Sequence, residues 1–208
     1  MVGFLDDTAR LSRSVSRLRE KYPVLQKTLN ELRVVFDKDV AGEGHAEYLP
    51  SWEMGEKGNN KYRGTTTIAL NPMYRNKQDQ ELDAVILGDS LHHLREHDPE
   101  WKKLWNNYSK VVSKDENILK RQEGRRQYLK DNGYSVPDNL DQFLEQSAHD
   151  EVIRAYVLQD VEGNDAYQQF KQAETERPFF WSDKYKPLLE PFREYIFNKN
   201  FLTTTNKE

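Results

Sequence analysis

The chain of 208 residues contains no cysteine. That single absence removes disulfides, thiolate nucleophiles and thiolate-bound metals together, and it fits a reducing compartment or a particle assembled in one. No apolar run approaches the roughly 18 residues of a membrane-spanning helix. No glycine-rich phosphate loop follows a strand pattern, and there is no internal repeat or low-complexity segment. The net charge is -4, so no global field favours nucleic acid or an anionic membrane. The one basic stretch, Lys120 to Arg126, is diluted by Asp115, Glu116 and Asp131 and reads as a solvated helix face. Arg10, Arg13, Arg17 and Arg19 stand among serines near the start, but Asp6 and Asp7 precede them. Transit peptides are poor in acids, so an ordinary helix is expected there.

What is present is core material. Four Trp, eleven Tyr and nine Phe offset a hydrophobic fraction of only 36%, which argues against disorder. Phe4, Leu11, Val15 and Leu18 form a narrow apolar stripe along one helix, continued past Pro23 by Tyr22, Leu25 and Leu29. Such a stripe packs into a core, or docks a partner helix or a second copy of the chain. Leu32 to Asp37 reads as a strand, 41–62 as loops with one short strand, and Arg63 to Asn71 as the clearest strand. Helical patterns follow over 77–97, 99–112, 114–132, 138–160, 165–175 and 187–198. A few strands followed by about five helices is an α+β layout.

The helix of 77–97 carries the chemistry. At 100° per residue, Leu82, Val85, Ile86, Asp89 and His93 share one face, and Ala84, Leu87, Leu91 and Leu94 the opposite one. A helix apolar on both sides is enclosed between layers. Asp89 then faces inward, where a carboxylate needs a partner, and His93 stands one turn on. Gly88 is costly in mid-helix, by roughly 1 kcal/mol relative to alanine, which implies close approach or space left for something.

The strand closed by Asn71-Pro72, the enclosed helix after it and the five residues Gly88-Asp89-Ser90-Leu91-His92 resemble the active-site region of zincin metallopeptidases. There HExxH places two zinc-binding histidines one turn apart, with a glutamate that activates water. Here the second histidine is His92, the acid is Asp89, and Gly88 replaces the first histidine. Asp150, opening Asp150-Glu151-Val152-Ile153-Arg154-Ala155-Tyr156, matches the downstream acidic ligand of some zincins. Residues 64–156 are similar to the degenerate metallopeptidase-like domains of bacteriophage virion and large polyvalent proteins. The resemblance implies a zincin-like α+β domain over 31–200, with a small twisted sheet, a buried central helix and a helical C-terminal half. A helical segment over 1–30 would precede it, and a flexible tail over 201–208 would follow.

The resemblance also implies a phage accessory or virion protein, in the host cytoplasm or on the particle, that binds protein rather than nucleic acid or membrane. Its metallopeptidase site has decayed, leaving Asp89, His92 and Asp150 as a polar cluster about Gly88. Zinc takes about four ligands, and His92 with Asp150 supplies two, so no resident cofactor is expected. Were hydrolysis to persist, Asp89 would activate water, with His92 and Asp150 holding or orienting metal.

Two rivals come from the residues themselves. His93-Leu94-Arg95-Glu96-His97 is a literal HxxEH, the inverted zinc signature. It would place His93 and His97 on zinc, Glu96 as general base, and Glu174 or Glu176 as a distant carboxylate. Asp98-Pro99 ends that helix at once. The other rival is a pure assembly protein that docks through Leu11 and Val15. A Ser90-His92-Asp89 relay is excluded by helical geometry. An Asp89 and Asp150 pair for glycan hydrolysis would depend on their separation. His45 and His149 read as polar surface and helix residues.

Overall fold

The computed structural model describes residues 2–38, 40, 46–49, 65–133, 136–144, 153, 155–157 and 185–197. Seven helices and three strands lie among them: α1 (Val2–Lys21), α2 (Leu25–Glu31), β1 (Arg33–Phe36), β2 (Ala46–Leu49), β3 (Thr67–Leu70), α3 (Asp79–His97), α4 (Pro99–Val112), α5 (Glu116–Asp131), α6 (Leu140–Phe143) and α7 (Lys186–Ile196). Residues 153 and 155–157 are helical as well. The α+β expectation stands in its coarse form, mostly helix with a small sheet.

Local chemistry sets most boundaries. α1 stops before Pro23, and the turn is closed by the Leu25 amide donating to the Tyr22 carbonyl at 2.9 Å. Asn71 ends β3 and starts a 3-10 turn over Pro72–Asn76, its side chain accepting from the Met73 amide. The turn leads into α3, which opens with a reciprocal cap between Gln78 and Glu81. Asp98 ends α3 and caps α4 by accepting from the Trp101 amide at 2.8 Å, with Pro99 at the first helical position. Asp115 caps α5 in the same way.

The sheet runs β1-β3-β2, with β1 parallel and β2 antiparallel to β3. All four residues of β3 are buried, as a central strand demands. One core runs from Leu11 and Leu18 of α1 through Leu25, Ile68, Leu82 and Leu87 to Trp101, Phe192 and Ile196. The apolar stripe of α1 therefore lies in the chain's own core, with Val15 packed beside it. A smaller cluster forms where Phe143 and Leu144 meet Leu119 and Leu129. Arg126 braces it by donating to the carbonyls of Pro137 and Asp138.

α7 lies along α4 as a clasp. Its Tyr195 hydroxyl donates to Asp98 at 2.8 Å, and Tyr185, just before it, donates to Asp115. The two aspartates that start α4 and α5 thus also receive the two ends of α7, which fixes it antiparallel to α4. Between them the Phe192 ring meets Trp101 edge-on at 4.9 Å. Within the expected helix over 138–160, α6 and residues 153 and 155–157 are helical, and residues 145–152, 154 and 158–160 lie outside the described residues. The expected helix over 165–175 and the tail over 201–208 lie outside the described residues.

Candidate functional site

A helix apolar on both sides has to be enclosed on both, and α3 is: α1, α2, α4, β2 and β3 all pack against it. Leu82, Ile86 and Leu87 are fully buried. Embedded among them are Asp89 at 6% exposure, Ser90 at 0% and His93 at 5%, with Gly88 also buried. The inward orientation expected for Asp89 is the one observed.

Ser90 and His93 each have a hydrogen-bond partner within the fold. Ser90 donates its hydroxyl to the Ile86 carbonyl one turn back at 2.7 Å. That bond satisfies a hydroxyl in apolar surroundings. Asp89 Oδ1 lies 4.0 Å from His92 Nε2, which is electrostatic contact and not a hydrogen bond. His93, expected near Asp89, reaches elsewhere. Its Nε2 meets Glu31 Oε2, in the last residue of α2, at 3.0 Å. The helices α2 and α3 are joined by that contact across 62 positions of sequence.

The end of α3 holds the HxxEH residues. The His93 and His97 rings approach to 4.3 Å between centroids, tilted by 43°. Glu96 Oε2 stands 3.7 Å from His97 Nε2, in a half-exposed setting. Arg95 lies over the Trp105 ring at 5.6 Å and ties this end of α3 to α4.

Zinc needs about four donors converging at 2.0–2.3 Å. His93 Nε2 is directed at Glu31, His97 Nε2 lies beside Glu96, and His92 leans toward Asp89. Among the described residues no three His, Asp or Glu side chains come together in a way that could hold a metal ion. Asp150, Glu174, Glu176, His45 and His149 lie outside the described residues. The described donors therefore do not fit zinc.

A second polar seam binds α3 to α1. Arg17 grips Asp83 with two bonds of 2.8 Å, and Ser14, fully buried, donates to the same carboxylate. The bond to Asp83 raises the Arg17 pKa and keeps its charge fixed. Arg10 reaches Asp79 at 3.1 Å and also donates to the carbonyls of Tyr74, Arg75 and Lys77, which lead into α3. Sequence reasoning missed Glu31, Ser14 and Asp83 as partners. Ser14 and Arg17 stand three apart, one helical turn, and this spacing was the available signal.

No family model, curated protein or solved structure was found to match the chain. No helix among the described residues is long and apolar enough to cross a membrane.

Proposed function

We propose that this chain is a non-catalytic accessory or virion protein of the bacteriophage kind, whose zincin-like central helix serves packing and protein binding in place of metal chemistry. One observation carries this: His93, the histidine buried deepest in α3, directs Nε2 to Glu31 at 3.0 Å. An imidazole nitrogen held by a carboxylate of a neighbouring helix ties the two helices together, and among the described residues no three His, Asp or Glu side chains gather in a way that could hold a metal ion. The strand-to-helix order around Gly88, Asp89 and His92 supports the zincin-like ancestry. The proposed setting is the host cytoplasm or the assembled particle, with a protein partner or a second copy.

The rival is a zinc hydrolase acting through His93, Glu96 and His97, and the 4.3 Å approach of the two rings favours it. Elemental analysis of natively purified protein separates the two. Zinc well below one equivalent and a melting temperature unmoved by a strong chelator are expected. Stoichiometric zinc that disappears in His93→Ala and His97→Ala, together with a hydrolytic activity, would overturn the proposal.

A further inference from the structure

Among the described residues β1 is an edge strand of the sheet, and its outer edge borders a groove. The Arg33 amide donates to the Thr66 carbonyl and the Asp37 amide to the Leu70 carbonyl, each at 2.9 Å. In a parallel pair these bonds alternate along the strand. The amides and carbonyls of Val34 and Phe36 therefore point away from β3. They face a groove of about 880 Å³ with α1 as its far wall. All five consecutive residues from Arg33 to Asp37 line it. Neighbours in a strand face opposite ways, so the groove follows the strand's edge and not one of its faces. Asp7 of α1 bonds Arg75 at 2.7 Å, and Arg75 lies over Phe36 at 5.1 Å. Arg19, later in α1, donates to the Leu29 carbonyl just before β1. α1 thus runs along β1 in the opposite direction.

Two features say what fits. Exposed edges are commonly blunted by proline, lysine or a bulge. β1 reads Arg-Val-Val-Phe, three apolar residues in extended form with no proline. The second feature is charge. Asp7 is held by Arg75, and the lining sets three arginines, Arg19, Arg33 and Arg75, against two aspartates, Asp7 and Asp37. Arg33 is exposed, and among the described residues no carboxylate meets it. Arg19 adds a second cation from the opposite wall. On a chain of net charge -4, the uncompensated charge in this groove is positive.

We propose that the groove between α1 and β1 takes an extended polypeptide segment of a partner protein, which adds to β1 as a strand and places an acidic side chain on Arg33. Main-chain bonds to Val34 and Phe36 supply affinity, and the arginine supplies selectivity. This surface is separate from the polar residues of α3 and stands whatever they do.

The probe is a fluorescent valine–threonine peptide with one central glutamate, compared with its lysine counterpart by anisotropy on the full chain. The glutamate peptide is expected to bind wild type about tenfold more tightly than the lysine peptide. Val34→Pro removes an outward amide and leaves the bonds to β3 in place, so it is expected to abolish binding. Arg33→Glu, which leaves the strand intact, is expected to reverse the preference. Equal binding of both peptides, an unchanged preference in Arg33→Glu, or no binding to wild type overturns the proposal. So does sedimentation as a dimer that Val34→Pro converts to monomer, since a second copy would then occupy the edge.

Discussion

Helices α1 and α7 come from opposite ends of the described chain, and each packs on a central helix by a different chemistry. α1 meets α3 through a seam of Ser14, Arg17, Asp79 and Asp83 above the Leu11 and Leu18 stripe. α7 meets α4 through rings, with Phe192 between Trp101 and Tyr108 and its two tyrosines tied to helix-capping aspartates. Directional polar bonds set the register of α1, and ring burial does most to hold α7. The two contacts should therefore fail under different conditions.

The largest effect is expected on the aromatic side. Trp101 is 1% exposed, and Trp101→Ala should cost about 3–5 kcal/mol in chemical denaturation, as large-to-small changes of buried rings do. Phe192→Ala should cost nearly as much. A loss below about 1.5 kcal/mol for either would show that α7 is held by its end ties alone.

Asp83→Ala probes the polar side. It leaves the Ser14 hydroxyl buried without its acceptor, which costs about 1–3 kcal/mol. The Arg17 contribution adds little, because that side chain is 39% exposed and solvent screens it. Raising the salt to about 1 M shortens the screening length to about 3 Å. Salt should lower the stability of wild type more than that of Asp83→Ala. Equal sensitivity would mean that the seam is electrostatically idle.

Asp98→Ala should cost about 1–2 kcal/mol, chiefly from losing the cap of α4. If Tyr195→Phe alone reproduces that loss, the tyrosine contact is the larger part.

The smallest difference is in pH response, and its sign distinguishes the two sides. The Gln78 amide holds the Glu81 carboxyl below its ordinary 4.5. That stabilisation is complete above 4.5 and fades as pH falls through the lowered folded-state value. Burial, and then the bond to Glu190, push the Tyr156 hydroxyl up to about 12. Its contribution is complete below the ordinary value of 10 and is lost as pH rises toward 12. Burial and Asp98 raise Tyr195 in the same direction. Tyr156→Phe should therefore flatten the alkaline limb of a stability profile, and Glu81→Gln the acid limb. Either variant changing the wrong limb would contradict the assignment.

Much of this was legible along the chain. The two-sided apolar pattern identified α3 as an enclosed helix and turned Asp89 inward. Asn71-Pro72 and Asp98-Pro99 marked ends to within a residue or two, because proline and capping side chains act locally. What periodicity could not carry was pairing at a distance. The His93 contact with Glu31 spans 62 residues, and that of Tyr195 with Asp98 spans 97. The pattern that places each side chain on a face says nothing of which face it will meet. For the same reason the stripe of α1, read first as core, left a partner helix open as the alternative. Leu11 and Leu18 lie in the chain's own core, so changing Leu11 to Asp tests folding and not docking. The parallel pairing of β1 with β3 was hidden too, since strand order depends on how the intervening segment returns.

The tie between His93 and Glu31 is the point at which a structural role for α3 parts from a catalytic one. A double-mutant cycle with Glu31→Ala and His93→Leu, read as unfolding free energy in metal-free buffer, addresses it directly. Coupling of about 0.5–1 kcal/mol is expected, at the modest end because Glu31 is half exposed. Additive single effects, with wild type stabilised by zinc and the His93 variant not, would contradict it.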